Sequence, residues 1–93
     1  MTQEAQDDFE EILLYTVGTW GEEQRRAYKA AIDRALRRLR QFPHLGRPRD
    51  DLFAGCRGLQ VDHHVIFYRV DDVVIRIVRV LHERMDPTHR VKG

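Results

Sequence analysis

In the first half of the chain, apolar residues recur every three or four positions, and this spacing predicts two helices. The first is predicted over residues 3–17, with Thr2 as its N-cap and Gly18 as the break that follows. The second is predicted over Glu22–Gln41, where arginines take the face opposite the apolar stripe and Pro43 ends the pattern. Because few residues join the helices, we expect an antiparallel hairpin.

In the second half, the apolar stretches are short and rich in β-branched residues, which is typical of strands. Strands are predicted at Cys56–Val61, His64–Val70 and Val73–Leu81, the last two joined by a tight turn at residues 71–72. The final strand is apolar on both faces from Val74 to Leu81, so we expect it at the centre of the sheet.

Two helices followed by strands indicate an α+β fold, with the helical hairpin packed on one face of a small antiparallel sheet. We expect a single domain over residues 1–93, with Trp20 closing the hairpin over the core. The proline-containing segment 43–51 is expected to be a loop without regular hydrogen bonding.

The composition is 42% hydrophobic and 33% charged, as in ordinary soluble domains. No apolar run approaches the roughly 20 residues that cross a bilayer, and Met1–Glu11 is acidic, unlike a secretion signal. The single cysteine, Cys56, excludes an internal disulfide, so a reducing cytoplasm is expected. Cys56 itself is interpreted as a small, partly buried strand residue.

Charge is unevenly distributed although the net charge is only +1. Residues 1–23 hold seven acids and no Lys or Arg, residues 24–49 hold nine bases and one acid, and residues 50–93 hold seven of each. An acidic first helix should therefore lie beside, and partly neutralise, a basic second helix. The small net charge argues against direct DNA binding.

Several sequence blocks, in this order, resemble toxins of the ParE branch of the RelE/ParE superfamily nearly from end to end. They are Trp20-Gly21, Pro43, the run Gly46–Leu52, Gly55, Arg57, the run His64–Arg69, Ile75, Ile77, the run Arg79–His82, and Arg84–Asp86. Each block alone is weak evidence, and their shared order is what makes the resemblance specific.

The resemblance implies a growth-inhibiting toxin of a type II toxin-antitoxin pair, without a cofactor or catalytic residues, whose usual target is DNA gyrase. Its partner would be a ParD-like antitoxin that binds DNA through a ribbon-helix-helix domain and wraps the toxin with its C-terminal part. We expect that part to bring an amphipathic helix and an extended acidic or apolar segment. Members of the family normally carry a short strand before the first helix, whereas this chain begins at the helix. Either the start lies further upstream or this toxin lacks that strand, and the hypothesis tested by the upstream DNA is an earlier in-frame start.

A RelE-type messenger-RNA endonuclease is the alternative function within the same fold. Cleavage by a neighbouring 2′-hydroxyl needs a base, an acid and cations that hold the phosphate. The sheet half supplies the residue types: His63, His64, His82, Tyr68, Arg69, Arg79 and Arg84. Strand alternation, however, places Arg79 and His82 on opposite faces, and the sheet half is neutral overall.

Adjacent strand residues also point to opposite faces, so His63 and His64 are not expected to share a metal ion, and no metal site is predicted. For Tyr68 and Phe67 we expect packing on opposite faces of the sheet. Candidate residues for binding the target or the antitoxin are Arg47, Arg49, Asp50, Arg57, Arg69, Arg79, His82, Arg84, Met85 and Asp86. Internal Arg–Asp pairs that hold the loop and the tail are the structural alternative for Arg47, Arg49, Arg84 and Asp86.

Overall fold

The computed structural model describes all residues from Met1 to Gly93. Its elements are α1 (Gln3–Trp20), α2 (Glu22–Gln41), β1 (Arg47–Pro48), β2 (Arg57–Val61), β3 (His64–Asp71) and β4 (Val74–His82). The strands form one antiparallel sheet in the order β1-β2-β3-β4, and the two helices pack on one of its faces. The predicted α+β architecture is confirmed. Neither helix is long and apolar enough to cross a membrane.

Helix α1 begins where predicted but ends later. The Thr2 hydroxyl accepts a hydrogen bond from the Ala5 N–H at 3.1 Å, as an N-cap does. Gly18 remains inside the helix, which continues to Trp20, and the chain reverses at Gly21 with a φ of 93°. The predicted end at residue 17 was wrong because a lone glycine costs a helix only about 1 kcal/mol and does not have to end it.

The sheet separates two apolar clusters. The cluster under the helices consists of Ala5, Tyr28, Ile32, Ala35, Leu39, Ile66, Tyr68, Ile77 and Val80. The cluster on the opposite face consists of Cys56, Phe67, Val78, Leu81 and Val91, so the C-terminal tail covers this second face. Phe67 and Tyr68 pack on opposite faces, as predicted.

Part of the predicted loop 43–51 is a strand. Residues Arg47–Pro48 pair with β2, which places this segment at the edge of the sheet. The Tyr68 hydroxyl donates to the Pro43 carbonyl at 2.7 Å and accepts from the Gly46 N–H at 2.9 Å. A Cβ at Gly46 would lie 2.7 Å from Cε1 of Tyr68, so only glycine fits this approach.

Strand β4 is the other edge strand, so its predicted central position was wrong. Its outer edge is covered by α1 instead of by another strand, because no strand precedes α1 within residues 1–93. The Thr2 N–H donates to the Ile77 carbonyl at 2.9 Å, and the Thr2 hydroxyl donates to the Val78 carbonyl at 2.7 Å. The Asp8 carboxylate accepts from the Val80 N–H at 3.0 Å.

Both faces of β4 are apolar because the helices cover one face and the C-terminal tail covers the other. The sequence of this edge strand therefore has the same pattern as that of a central strand. The turn before it is at Asp72 and Val73 rather than at residues 71–72. Asp72 adopts a φ of 53°, which aspartate tolerates better than most residues.

Candidate binding groove

A groove of about 1000 Å³ runs between α1 and the C-terminal end of β4. Its rim carries large apolar side chains that are solvent-exposed: Tyr15 at 68%, Trp20 at 70% and Met85 at 43% of their full accessibility. Trp20 therefore does not close the hairpin over the core, as was predicted. It is the last residue of α1, immediately before the chain reverses at Gly21.

One wall of the groove contains an ion pair that joins α1 to β4. The Arg79 guanidinium donates from Nε to Asp8 Oδ2 at 2.7 Å and from Nη2 to Asp8 Oδ1 at 2.9 Å. It also donates to the Arg90 carbonyl at 2.9 Å. The hydrogen bond to Asp8 raises the pKa of Arg79 further, and both side chains are largely buried. This bidentate pair fixes the groove wall.

Arg79 and His82 both line the groove, although strand alternation predicted separate sites for them. The backbone alternation is as expected, since Val80 and Leu81 belong to opposite clusters. The Arg79 side chain, however, is long enough to bend around the edge of β4 toward Asp8. The alternation of side chains along a strand therefore did not predict which residues lie together at this edge strand.

Three histidines surround the inner end of the groove. The His82 ring lies edge-on to His64 at 5.3 Å between centroids and stacked on His63 at 6.4 Å. The opposite-face prediction for His63 and His64 was wrong because His63 lies in the β2–β3 turn and not in a strand. Burial, followed by the charges of His82 and His63, lowers the pKa of His64. No group of three or more His, Cys, Asp or Glu side chains is arranged to hold a metal ion.

Two buried polar atoms in the groove lining have no hydrogen-bond partner, namely the Tyr28 hydroxyl and Nδ1 of His64. The two rings meet edge to face, with centroids 5.2 Å apart. Tyr28 is only 8% exposed, and burial together with the charge of Asp62 raises the pKa of its hydroxyl. Sequence periodicity had indicated only that Tyr28 belongs to the apolar stripe of α2, and no sequence signal shows that a tyrosine hydroxyl is unpaired.

The loop candidates lie apart from the groove. Arg49 makes a bidentate pair with Asp51, with both distances 3.0 Å, and its guanidinium lies 5.8 Å from the centre of the Phe67 ring. Asp50 accepts from the Gly55 N–H at 2.9 Å. The internal clamp expected as the structural alternative is therefore present for Arg49.

Arg57 donates to the Gly46 carbonyl at 2.7 Å and to the His44 carbonyl at 3.3 Å, so it holds the segment before β1. Arg47 is exposed and forms no ion pair. Within this loop, Arg47 is thus the guanidinium with the greatest freedom to contact another molecule.

The remaining candidates also divide between internal contacts and the surface. Arg69 pairs with Asp71 at 3.0 Å, and Asp86 accepts from the Thr88 N–H at 3.0 Å. Arg84 is exposed and does not pair with Asp86, so the Arg–Asp pair considered as the structural alternative for the tail is absent. Of all the candidates, the structure brings together in the groove only Arg79, His82 and Met85.

The basic face of α2 is not neutralised by α1, contrary to expectation. The ion pairs of α2 are internal, between Arg25 and Glu22 and between Lys29 and Asp33. The only ion pair made by α1 is that of Asp8 with the sheet. The arginines of α2 left without an ion pair are Arg26, Arg34, Arg37, Arg38 and Arg40.

Comparison with solved structures first identifies the fold. A chain of the structure described as "Chromosomal ParDE TA system from P. aeruginosa" superposes with a TM-score of 0.73 at 24% identity. The match covers 87% of this chain and 89% of that one. The fold is therefore shared with a chain of a toxin-antitoxin system.

The sequence comparisons define the family. The family model described as "ParE toxin of type II toxin-antitoxin system, parDE" matches residues 1–87. Toxin ParE1 of Mycobacterium tuberculosis is 40% identical over 83 residues, which covers 88% of this chain and 85% of that protein. Toxin ParE1 of Caulobacter vibrioides is 34% identical over 86 residues, covering 92% and 88% respectively. The chain belongs to the ParE toxin family of type II toxin-antitoxin systems.

Proposed function

We propose that this toxin acts by binding and inhibiting DNA gyrase in the cytoplasm, and that a ParD-like antitoxin neutralises it by filling the groove beside α1. Membership of the ParE family supports the gyrase target and the ParD-like partner, as the expectation attached to that family. The exposed apolar rim of the groove is the observation that carries the antitoxin site.

Isolated exposed apolar residues are common on protein surfaces, but Tyr15, Trp20 and Met85 converge on one concave surface. Aromatic and methionine side chains at the rim of a groove are typical of sites that take an amphipathic helix. An antitoxin helix with an apolar stripe would cover these three side chains and remove them from water.

Mutation of the rim tests the antitoxin site. Trp20→Ala should weaken binding of the antitoxin encoded beside the toxin gene by about tenfold or more, since buried aromatic residues dominate such interfaces. Leu14→Ala is the matched control, because Leu14 is equally exposed on α1 but does not line the groove. Equal effects of the two substitutions in calorimetric titration would place the antitoxin elsewhere.

A binding mechanism without catalysis is supported by the internal use of the sheet arginines. A nuclease would need free cations to hold the scissile phosphate. Arg57, Arg69 and Arg79 each already contact a carbonyl or a carboxylate of the toxin itself, which leaves Arg84 as the one unpaired arginine of the endonuclease set. These contacts favour a structural role for the arginines over phosphate binding.

The target is tested with purified gyrase in a supercoiling assay. The toxin should inhibit supercoiling, and preincubation with the antitoxin should restore it. Indifference of gyrase to a stoichiometric excess of toxin would reject the proposed target. Mapping of messenger-RNA ends after induction should show no new cuts, whereas ribosome-dependent cuts would favour the RelE-type endonuclease.

A further inference from the structure

The unpaired Tyr28 hydroxyl and His64 Nδ1 distinguish the inner part of the groove from its apolar rim. Buried polar groups in proteins are nearly always hydrogen-bonded, because an unpaired buried donor or acceptor is costly. Tyr28 is more than nine-tenths buried, and it is one of the residues that line a groove open to a partner. An apolar side chain from a partner would leave both atoms unpaired.

We infer that Tyr28 and His64 form a polar contact point, which binds a neutral hydrogen-bonding side chain, preferably a carboxamide, on the antitoxin segment that fills the groove. This inference rests on the proposed function, since it presupposes that the antitoxin occupies this groove. It adds a specificity determinant to an otherwise apolar docking surface.

A carboxamide carries one group that complements each of the two atoms. Its oxygen accepts from the Tyr28 hydroxyl, and its NH₂ group donates to Nδ1 of His64 when the imidazole proton is on Nε2. The lowered pKa of His64 keeps the ring neutral near pH 7, which allows Nδ1 to accept. Asparagine or glutamine on the partner therefore satisfies both buried groups of the toxin.

The charges around the groove disfavour an ionised side chain at this point. Glu11 and Asp62 lie on the lining, and the charge of Asp62 already acts on Tyr28, so a carboxylate would be repelled. A cation would be repelled by Arg79 and Arg90, which also line the groove, and it would lose its hydration. A second copy of the toxin would bring a broad folded surface, which does not reach a buried point as a single inserted side chain does.

Tyr28→Phe is the decisive substitution, because it removes only the hydroxyl. It should weaken binding of the antitoxin encoded by the neighbouring gene about three- to tenfold, the usual value of one hydrogen bond. The melting temperature of the free toxin should stay the same or rise, because no internal hydrogen bond is lost.

Tyr68→Phe is the matched control, since its hydroxyl is paired with Pro43 and Gly46 and does not line the groove. This control should lower the melting temperature by several degrees and leave the antitoxin affinity of the folded toxin unchanged. Comparison of the two variants distinguishes a hydroxyl that binds the antitoxin from one that stabilises the fold.

The partner residue is located by changing each asparagine and glutamine of the antitoxin's toxin-binding segment to alanine. One of them should lose its effect on affinity when combined with Tyr28→Phe, as a double-mutant cycle requires of interacting residues. Unchanged affinity of Tyr28→Phe toxin, or a lower melting temperature without loss of affinity, would overturn the inference. Toxin self-association that Tyr28→Phe abolishes would also overturn it, in favour of a second copy.

Failure of the wild-type toxin to bind the antitoxin at all would instead reject the proposed partner, and the inference with it. The two failures are distinguishable, because the wild-type titration is performed first and does not depend on Tyr28.

Discussion

The Asp8–Arg79 pair should be a major determinant of stability, and Asp8→Ala removes it. Asp8 accepts from both Nε and Nη2 of Arg79 and also from the Val80 N–H on the open edge of β4. The substitution therefore leaves a largely buried guanidinium without its anion and an edge N–H without its acceptor. The two groups are otherwise 71 residues apart in sequence, so the pair links the first helix to the last strand.

The expected loss follows from the burial of the pair. Removing one partner of a fully buried ion pair costs about 3–5 kcal/mol. Because the Arg79 side chain is 23% exposed, water compensates part of this loss, and we expect about 2–3 kcal/mol. Domains of this size are stable by about 5–15 kcal/mol, and the melting temperature should fall by about 10–20 °C.

Urea denaturation followed by circular dichroism measures this loss. The midpoint should fall by about 1–2 M for Asp8→Ala, and by less for Asp8→Asn, which retains one acceptor oxygen. Asp7→Ala is the control, because Asp7 is exposed and the one side-chain hydrogen bond it accepts comes from Gln3. A loss for Asp8→Ala within about 0.5 kcal/mol of the Asp7→Ala value would refute the argument that this pair holds the edge of β4.

Three further predictions follow from single sites. Gly46→Ala should lower the free energy of unfolding by about 1–3 kcal/mol, since the new Cβ would meet the Tyr68 ring. Gly18→Ala is the control and should be neutral or stabilising, because there is open space around Gly18. Equal changes of the urea midpoint for the two variants would contradict this prediction. The pKa of His64 is lower in the folded protein than its ordinary value of 6.5. The unfolded state therefore binds a proton at this residue more readily, so the free energy of unfolding should decrease as the pH falls below 6.5 toward the folded-state pKa. Thermal melts at several pH values should show a shallower loss for His64→Phe, and an unchanged slope would count against the assignment. Burial raises the pKa of Cys56 to about 11, so its thiol should not react with an aromatic disulfide reagent near pH 8 until urea unfolds the protein.

Periodicity predicted the helices and most of the sheet because those elements are determined by local spacing. The apolar stripe of α2 and the stop at Pro43 depend on residues within a few positions of each other, and α2 has the predicted bounds. Strand boundaries shifted by only one residue for the same reason. The short strand β1 was missed because two residues around a proline carry no alternation, and only pairing with β2 defines it.

The errors concern positions whose environment is set by distant parts of the chain. Apolar residues on both faces of β4 were read as a central strand, but the C-terminal tail, through Val91, supplies the second cover. The spacing of Trp20 placed it on the apolar stripe of α1 and could not show that its side chain is largely exposed at the end of the helix. The unpaired hydroxyl of Tyr28 likewise depends on what surrounds it in three dimensions.

Stability and partner binding depend on some of the same residues in this toxin, because Asp8 and Arg79 pair at the edge of β4 and also line the groove. A substitution in this pair should weaken the fold and the groove together, so loss of antitoxin binding by Asp8→Ala would not identify a contact. Tyr28 differs, since it lines the groove and its hydroxyl makes no internal hydrogen bond that the fold requires. A partner that binds only the folded toxin also stabilises it by mass action, which masks mild defects when the antitoxin is in excess. The stability of the free toxin should therefore be measured before the antitoxin affinity of a variant is interpreted. Tyr28→Phe is the substitution that should lower the antitoxin affinity without lowering the melting temperature of the free toxin.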